Sequence, residues 1–156
     1  ASSAFHLSRN YPLVLAGGKG WLMEDFQREL SALGVADHVI LTGYVSDQEL
    51  IWLYRHCFAN LYPSFFEGFG IPIIEAFKCK VPAIVSNTSS MPEVAGDGAL
   101  LVDPHDANDI AEKMHLIYKD ERLRSKLIEG GQKQLEIFSW DLSAQRLWDC
   151  MMKCLK

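Results

Sequence analysis

The chain has few cysteines, no long apolar run and no excess of positive charge. Its four cysteines form no Cys-x-x-Cys pair, so free thiols in a reducing compartment are expected and a metal site is not. No apolar run approaches the roughly 18 residues that a membrane-spanning helix requires. The formal net charge of −5 argues against sequence-independent nucleic-acid binding, which needs a basic surface.

The remaining composition is that of an ordinary globular protein. Hydrophobic residues make up 49% of the chain and charged residues 22%, and 156 residues suffice for one domain with a single core. No internal repeat, low-complexity tract or linker is found within the chain. The sequence therefore predicts a single domain over residues 1–156.

Short apolar runs alternate with longer segments of helical period. The runs lie at 13–16, 39–41, 59–62, 83–85 and 99–102. Helices are predicted at 22–33, around 50–54 after a cap at Ser46 or Asp47, and at 70–79, 107–118, 121–137 and 141–155. This alternation predicts an α/β fold with a doubly wound, Rossmann-like parallel sheet, whose apolar strands are covered on both faces. Ligands of such sheets bind at the carboxyl ends of the strands.

The segment 63–76 carries the clearest chemical signal. Gly68 and Gly70 allow a tight turn and close approach of the backbone to a ligand. Pro72 suits the first turn of a helix, whose free N–H groups and dipole favour an anion such as a diphosphate. Glu67 precedes the turn. Glu75 lies in an apolar helical run, where an unpaired carboxylate is costly, so it requires a partner such as a ligand hydroxyl.

Two other interpretations of this segment stay open from the residues alone. The glycines can simply form a strand-to-helix turn while Glu75 is hydrogen-bonded internally. Two carboxylates are also the machinery of glycoside hydrolysis. That reaction would require Glu67 and Glu75 to flank one bond, and a diphosphate site lies between them.

The spacing Glu67-x7-Glu75, with Phe-Glu-Gly-Phe-Gly-Ile-Pro around Glu67, resembles the signature of retaining GT-B glycosyltransferases of the family-4 type, also called glycosyl transferases group 1. Segments at 14–18, 41–50, 86–104 and 138–141 resemble other parts of the C-terminal domain in this family, in the same order. The resemblance implies that the chain is the nucleotide-sugar-binding half of a GT-B enzyme.

The resemblance also implies roles for individual residues. Glu67, in the catalytic site, would hydrogen-bond hydroxyls of the donor sugar, and Glu75 would accept hydrogen bonds from the ribose. The sugar and its phosphates would contact Gly68, Phe69, Gly70 and the neighbouring Ile71. Tyr44 and Val45 would hold the base. In the turn after the first run, Gly17, Gly18 and Lys19 would lie near phosphate, although a lysine in such a turn can simply be solvated.

By the same resemblance, the full-length enzyme transfers a hexose of the mannose, glucose or galactose type from a nucleotide diphosphate sugar to a glycan or lipid-linked acceptor. The family retains the anomeric configuration by front-face attack and requires no metal or other cofactor. A cytoplasmic protein in polysaccharide biosynthesis is expected, peripheral at the inner membrane face through the rest of the enzyme and its membrane-associated acceptor.

The resemblance further implies that parts of the GT-B fold lie outside this chain. The family's basic pair, its first strand in this domain and its N-terminal acceptor domain have no counterpart here, so the isolated chain is expected to be inactive. That first strand would separate the runs at 13–16 and 59–62, and a continuous six-stranded sheet is therefore not expected.

Two rival functions remain. A nucleotide-sugar 2-epimerase shares the architecture but needs acid–base carboxylates near the second carbon of the sugar, which the Glu67 segment fits less well. A non-catalytic nucleotide-sugar-binding module would keep the pocket without the chemistry.

Overall fold

The computed structural model describes residues 11–18 and 23–154, and the chain divides after His56 into two compact units. In the first unit, strand β1 (Leu13–Ala16) is followed by helix α1 (Met23–Ala32), a 3-10 turn (Ala36–His38), strand β2 (Val39–Gly43) and helix α2 (Asp47–His56). β1 and β2 are parallel, with Leu13 opposite Val39 and a bulge between Leu15 and Ala16.

Helix α2 begins with the cap that the sequence predicts. The backbone N–H of Ser46 donates to Glu49 Oε2 over 2.7 Å, and the N–H of Glu49 donates back to Ser46 Oγ over 3.4 Å. This reciprocal pair is a capping box, and it satisfies two backbone donors at the helix start. The bonds from Ser46 also hold the pKa of Glu49 below its usual value. Ser46 rather than Asp47 is therefore the capping residue.

The second unit contains a parallel three-stranded sheet in the order β3-β4-β5. Its elements are β3 (Asn60–Tyr62), α3 (Ile71–Lys78), β4 (Ala83–Ser86), α4 (Met91–Ala95), a 3-10 turn (Gly96–Gly98), β5 (Ala99–Val102), α5 (Ala107–Lys119), α6 (Glu121–Leu135) and α7 (Trp140–Cys154). The register places Tyr62 opposite Val85 and Ser86 opposite Val102. The carboxyl ends of all three strands therefore meet at one edge.

Strand β4 is buried along its whole length, and its residues alternate between two cores. Val85 packs with Ile73, Phe77 and other side chains in one core. Ile84 packs with Val102, Ile117 and Leu127 in the other. Both faces of this sheet are thus covered, which confirms the predicted α/β, Rossmann-like architecture.

Close packing of glycines joins helix α6 to the 3-10 turn before β5. A Cβ at Gly98 would lie 2.6 Å from the Cα of Gly131, and a Cβ at Gly130 would lie 2.3 Å from the carbonyl oxygen of Asp97. Phe77 fills the adjoining space, since a Cβ at Gly131 would lie 2.7 Å from its ring. This contact excludes any side chain at these positions and was not foreseen from the sequence.

The structure differs from the sequence prediction in several boundaries. Helix α4 and the two 3-10 turns were not predicted, because segments of three to five residues are too short to show a period. Helix α6 ends at Leu135 rather than at 137, and α7 begins at Trp140, where the N–H of Leu142 donates to Ser139 Oγ. The described strands form a two-stranded and a three-stranded sheet. A continuous six-stranded sheet would have contradicted the expectation that the first strand of the domain has no counterpart in this chain.

Candidate functional site

The loop 63–70 leaves the carboxyl end of β3 and turns directly into helix α3. Gly70 makes the turn in the left-handed region, with φ +94°. This conformation favours glycine, and a Cβ there would also lie in tight contact with Ile73 Cδ1, at 3.0 Å. A Cβ at Gly68 would meet nothing within 4 Å, and its φ is not positive. The glycine at Gly68 is therefore not required by the fold itself.

Tyr62 brings the two predicted carboxylates into one neighbourhood. Its hydroxyl donates to Glu67 Oε1 over 2.6 Å. Burial raises the pKa of Tyr62, and so does the bond to Glu67, with a smaller contribution from the charge of Glu75. Both carboxylates are half-buried and act on the same phenol. Tyr62 therefore keeps its proton at neutral pH and holds Glu67 in place as an acceptor.

Hydroxyl groups at the end of β4 and in the segment that follows it fix the backbone of the same loop. Ser86 Oγ donates to the carbonyl of Ser64 over 2.6 Å, and Thr88 Oγ1 to that of Phe65 over 3.1 Å. Ser89 Oγ accepts from the N–H of Glu67 over 3.2 Å. Ser90 Oγ donates to the carbonyls of Glu67 and Phe69. These hydrogen bonds within the protein hold the loop backbone in place.

Aromatic rings border the loop on both sides of Gly68. Phe65 stacks on His105 with ring centroids 4.7 Å apart, and Phe69 meets Phe138 edge to face at 5.3 Å. Ile71 lies exposed at the start of α3, beside the turn. These apolar side chains can form the wall of a binding site, which is the position that the family resemblance implies for Ile71.

In the first unit, the two predicted segments meet at the carboxyl ends of β1 and β2. The N–H of Gly17 donates to the carbonyl of Gly43 over 3.0 Å, and Gly17 and Gly18 are exposed. Tyr44 is exposed and Val45 half-buried. A shallow depression of about 300 Å³ is lined by Thr42, Tyr44, Val45, Glu49, Trp52 and Leu53. Lys19 lies outside the described residues.

Within residues 11–18 and 23–154, no three His, Cys, Asp or Glu side chains lie close enough together to hold a metal ion. In the same part of the chain, no helix combines the length and apolar character needed to cross a membrane. None of the four cysteines, all of which lie in the described ranges, forms a disulfide.

A family model described as "Glycosyl transferases group 1" matches residues 2–134, most of the chain. The chain belongs to the glycosyl transferases group 1 family. The Gly68–Gly70 turn and both glutamates thus lie inside the part that defines this membership.

Group 1 relatives with curated functions include two mannosyltransferases of Escherichia coli. The O-antigen chain mannosyltransferase B is 40% identical over 132 residues, which are 84% of this chain and 34% of the relative. The serotype-specific mannosyltransferase WbdA is 34% identical over 154 residues, which are 96% of this chain and 19% of the relative. The chain therefore spans about a third or less of the curated relatives that it matches.

A solved structure of the Anabaena protein Alr3699/HepE with UDP-glucose has a similar fold, with a TM-score of 0.81 at 19% identity. The match covers 94% of this chain and 42% of the Anabaena chain. This likeness supports the GT-B, Rossmann-like assignment of the group 1 chain.

The structure adds neighbours of the predicted loop that the sequence did not single out. Tyr62, Ser86, Thr88, Ser89 and Ser90 all contact the predicted loop through hydrogen bonds. A cluster of hydroxyl residues directly after a predicted strand is the one signal that could have indicated four of them. No sequence pattern could have indicated that Tyr62 donates to Glu67, because Tyr62 has the character of an ordinary strand residue.

Because Tyr62 donates to Glu67, a substitution of Glu67 is expected to change the pKa of Tyr62. Glu67→Gln removes a negative charge beside Tyr62, so the pKa of Tyr62 is expected to fall, though not to its ordinary value because burial is the larger cause. The 13C signal of the Tyr62 ring carbon that bears the hydroxyl, followed between pH 8 and 12, measures this pKa. Folding raises the pKa of Tyr62 above its ordinary value of 10.0. The contribution of the protonated Tyr62 to the free energy of unfolding is therefore present below pH 10 and is lost as the pH rises through the pKa of the folded state.

The control for this titration is Glu129→Gln, an exposed glutamate of α6. It is expected to leave the pKa of Tyr62 unchanged. The same midpoint in wild type and in Glu67→Gln would show that the two side chains do not interact in solution.

Proposed function

We propose that this chain is the donor-binding domain of a retaining hexosyltransferase that uses a nucleotide diphosphate sugar. The full-length enzyme would move a hexose of the mannose, glucose or galactose type to a glycan or lipid-linked acceptor. Support comes from membership in the glycosyl transferases group 1 family and from relatives that are mannosyltransferases. Mannose is accordingly the first sugar to test.

The observation that carries this proposal is the geometry of the loop 63–70. This loop holds the carboxylate of Glu67 by a hydrogen bond, leaves the space beside Gly68 open and leads directly into the start of α3. The N–H groups and dipole at the start of α3 favour a diphosphate, and a backbone without a side chain at Gly68 lets a ligand approach closely. A nucleotide sugar carries both a diphosphate and hydroxyl donors, so its chemistry fits these groups.

Glu67 is proposed to orient the sugar and not to attack it. One of its oxygens already accepts the Tyr62 hydroxyl, while a carboxylate offers about four acceptor positions in all. The remaining positions can accept sugar hydroxyls. Gly68, Phe69 and Gly70 would offer N–H groups to the phosphates, and the protein would act by positioning and by stabilising charge on the leaving diphosphate. Ile71 would complete the wall of this site.

Glu75 is proposed to bind the ribose. It lies half-buried in the first two turns of α3 and close enough to Tyr62 to affect its pKa. In the first unit, Tyr44 and Val45 are proposed to contact the base, and Gly17, Gly18 and Lys19 a phosphate. Retention of configuration, the absence of a metal requirement and cytoplasmic, membrane-peripheral location rest on the family resemblance alone.

The 156-residue polypeptide alone is proposed to bind a donor without transferring its sugar, since it spans about a third of the first relative. Binding therefore tests the proposal most directly. UDP, GDP and ADP, with and without their sugars, are titrated into the chain by calorimetry. Binding of none of them would contradict the proposal.

The assignment of Glu75 is tested in the same titrations. Wild type is expected to bind a nucleoside diphosphate about tenfold better than its 2′,3′-dideoxy form, because the dideoxy form lacks the hydroxyls that would donate to the Glu75 carboxylate. Glu75→Gln is expected to reduce that preference to about twofold, whereas Glu129→Gln retains it. An undiminished preference in Glu75→Gln would remove Glu75 from the ribose site.

A further inference from the structure

Ser90 touches the loop 63–70 at two points that lie on either side of Gly68. Its Oγ is 3.1 Å from the carbonyl oxygen of Glu67 and 3.2 Å from that of Phe69. A serine hydroxyl carries one proton, so the two carbonyls share it. Both carbonyls therefore face Ser90.

Peptide planarity converts this contact into an orientation for two amides. The described residues contain no cis peptide bond, and in a trans peptide the N–H points opposite to the preceding carbonyl. The carbonyl of Glu67 thus fixes the N–H of Gly68, and the carbonyl of Phe69 fixes that of Gly70. Both N–H groups point away from Ser90, and within the described part of the chain neither donates to another protein group.

Gly68 itself lies open to the approach of a ligand. Gly68 is exposed, and an added Cβ would meet nothing within 4 Å. Gly70, unlike Gly68, is buried, and it directly precedes α3, so its amide belongs to the donors of the helix start. Two oriented amides beside a helix N-terminus form a concave group of donors that suits an anion.

We infer that Ser90 is a positioning residue that presets the amides of Gly68 and Gly70 for the diphosphate of the donor. The inference rests on the proposed function. Ser90 itself does not touch the ligand. Its hydroxyl holds the loop in the conformation that binds the diphosphate. Less conformational entropy is then lost on binding, so the diphosphate binds more tightly.

The test compares Ser90→Ala, Ser90→Thr and Thr88→Val. Thr88→Val is the matched control, because it removes a hydroxyl that donates to the same loop at Phe65, away from the two amides. The probes are whichever of UDP, GDP and ADP wild type binds, and the monophosphate of the same nucleoside. Ser90→Ala is expected to lower the diphosphate-over-monophosphate preference about tenfold, and Ser90→Thr to restore it within about threefold. Thr88→Val is expected to keep it.

Amide signals of Gly68 and Gly70 in 1H–15N spectra give a second readout that needs no ligand. They are expected to shift in Ser90→Ala and to stay in place in Thr88→Val. Unchanged signals in Ser90→Ala would overturn the inference, even if no nucleotide binds and the proposed function itself fails. An equal diphosphate preference in wild type and Ser90→Ala would overturn it while leaving the proposed function standing. An equal loss in Thr88→Val would assign the effect to general loosening of the loop and would also overturn it.

Discussion

Replacement of Glu67 by alanine is expected to lower kcat/KM of the full-length enzyme proposed above by about 100-fold or more. The substitution removes the acceptor for the donor sugar and leaves the Tyr62 hydroxyl without its partner. A sugar that is no longer oriented reacts more slowly, because correct alignment of the reacting atoms accounts for much of the barrier reduction in such enzymes. Steady-state transfer from the nucleotide sugar that binds best measures the effect.

Two further variants separate orientation from folding. Glu67→Gln keeps an oxygen that can accept from Tyr62 and is expected to be less impaired than Glu67→Ala. Glu129→Gln, on the exposed face of α6, is expected to keep wild-type rates. A fall of less than about fivefold in a folded Glu67→Ala protein would contradict the role assigned to Glu67.

Gly130→Ala is expected to destabilise the fold by about 2 kcal/mol or more. The new Cβ would lie 2.3 Å from the carbonyl oxygen of Asp97 and 2.6 Å from its carbonyl carbon. Both are backbone atoms, so no side-chain rotation relieves the clash. In an open helix position, alanine would instead be favoured over glycine by about 1 kcal/mol. The melting temperature should fall by about 5 °C or more.

Gly68→Ala provides the matched comparison, since it is the same substitution in open space. Its melting temperature is expected to stay within about 2 °C of wild type. If Gly130→Ala melts at the wild-type temperature, helix α6 does not pack against the Gly96–Gly98 turn as described.

The sequence predicted what is encoded locally. The apolar run 83–85 and the Gly-x-Gly turn before Pro72 specify strand and turn through their own composition, and the structure has a strand at Ala83–Ser86 and a turn at Gly70. A cap at Ser46 or Asp47 was likewise visible from the sequence, and the structure places it at Ser46, whose partner Glu49 lies three residues further on. The roles assigned to Glu67 and Glu75 remain predictions.

The rest depends on contacts between segments distant in the sequence. Ser90 donates to the carbonyls of Glu67 and Phe69, which lie more than 20 positions earlier. No sequence pattern in either segment predicts a contact with the other. Gly130 and Gly131 look like poor helix residues until the 3-10 turn is seen against them. Helix α4 has only five residues, and its start is a Met-Pro pair, so that no periodicity could reveal it.

Ser86 is the last residue of β4, the strand between the two cores, and it is also the residue that donates to Ser64 in the loop. The loop is thereby anchored to a fully buried strand, and buried strands belong to the part of a fold that is expected to open least often. Movement of the loop at Ser64 would cost this hydrogen bond. In the binding site proposed above, this anchoring would favour recognition by the fit of the ligand over movement of the protein.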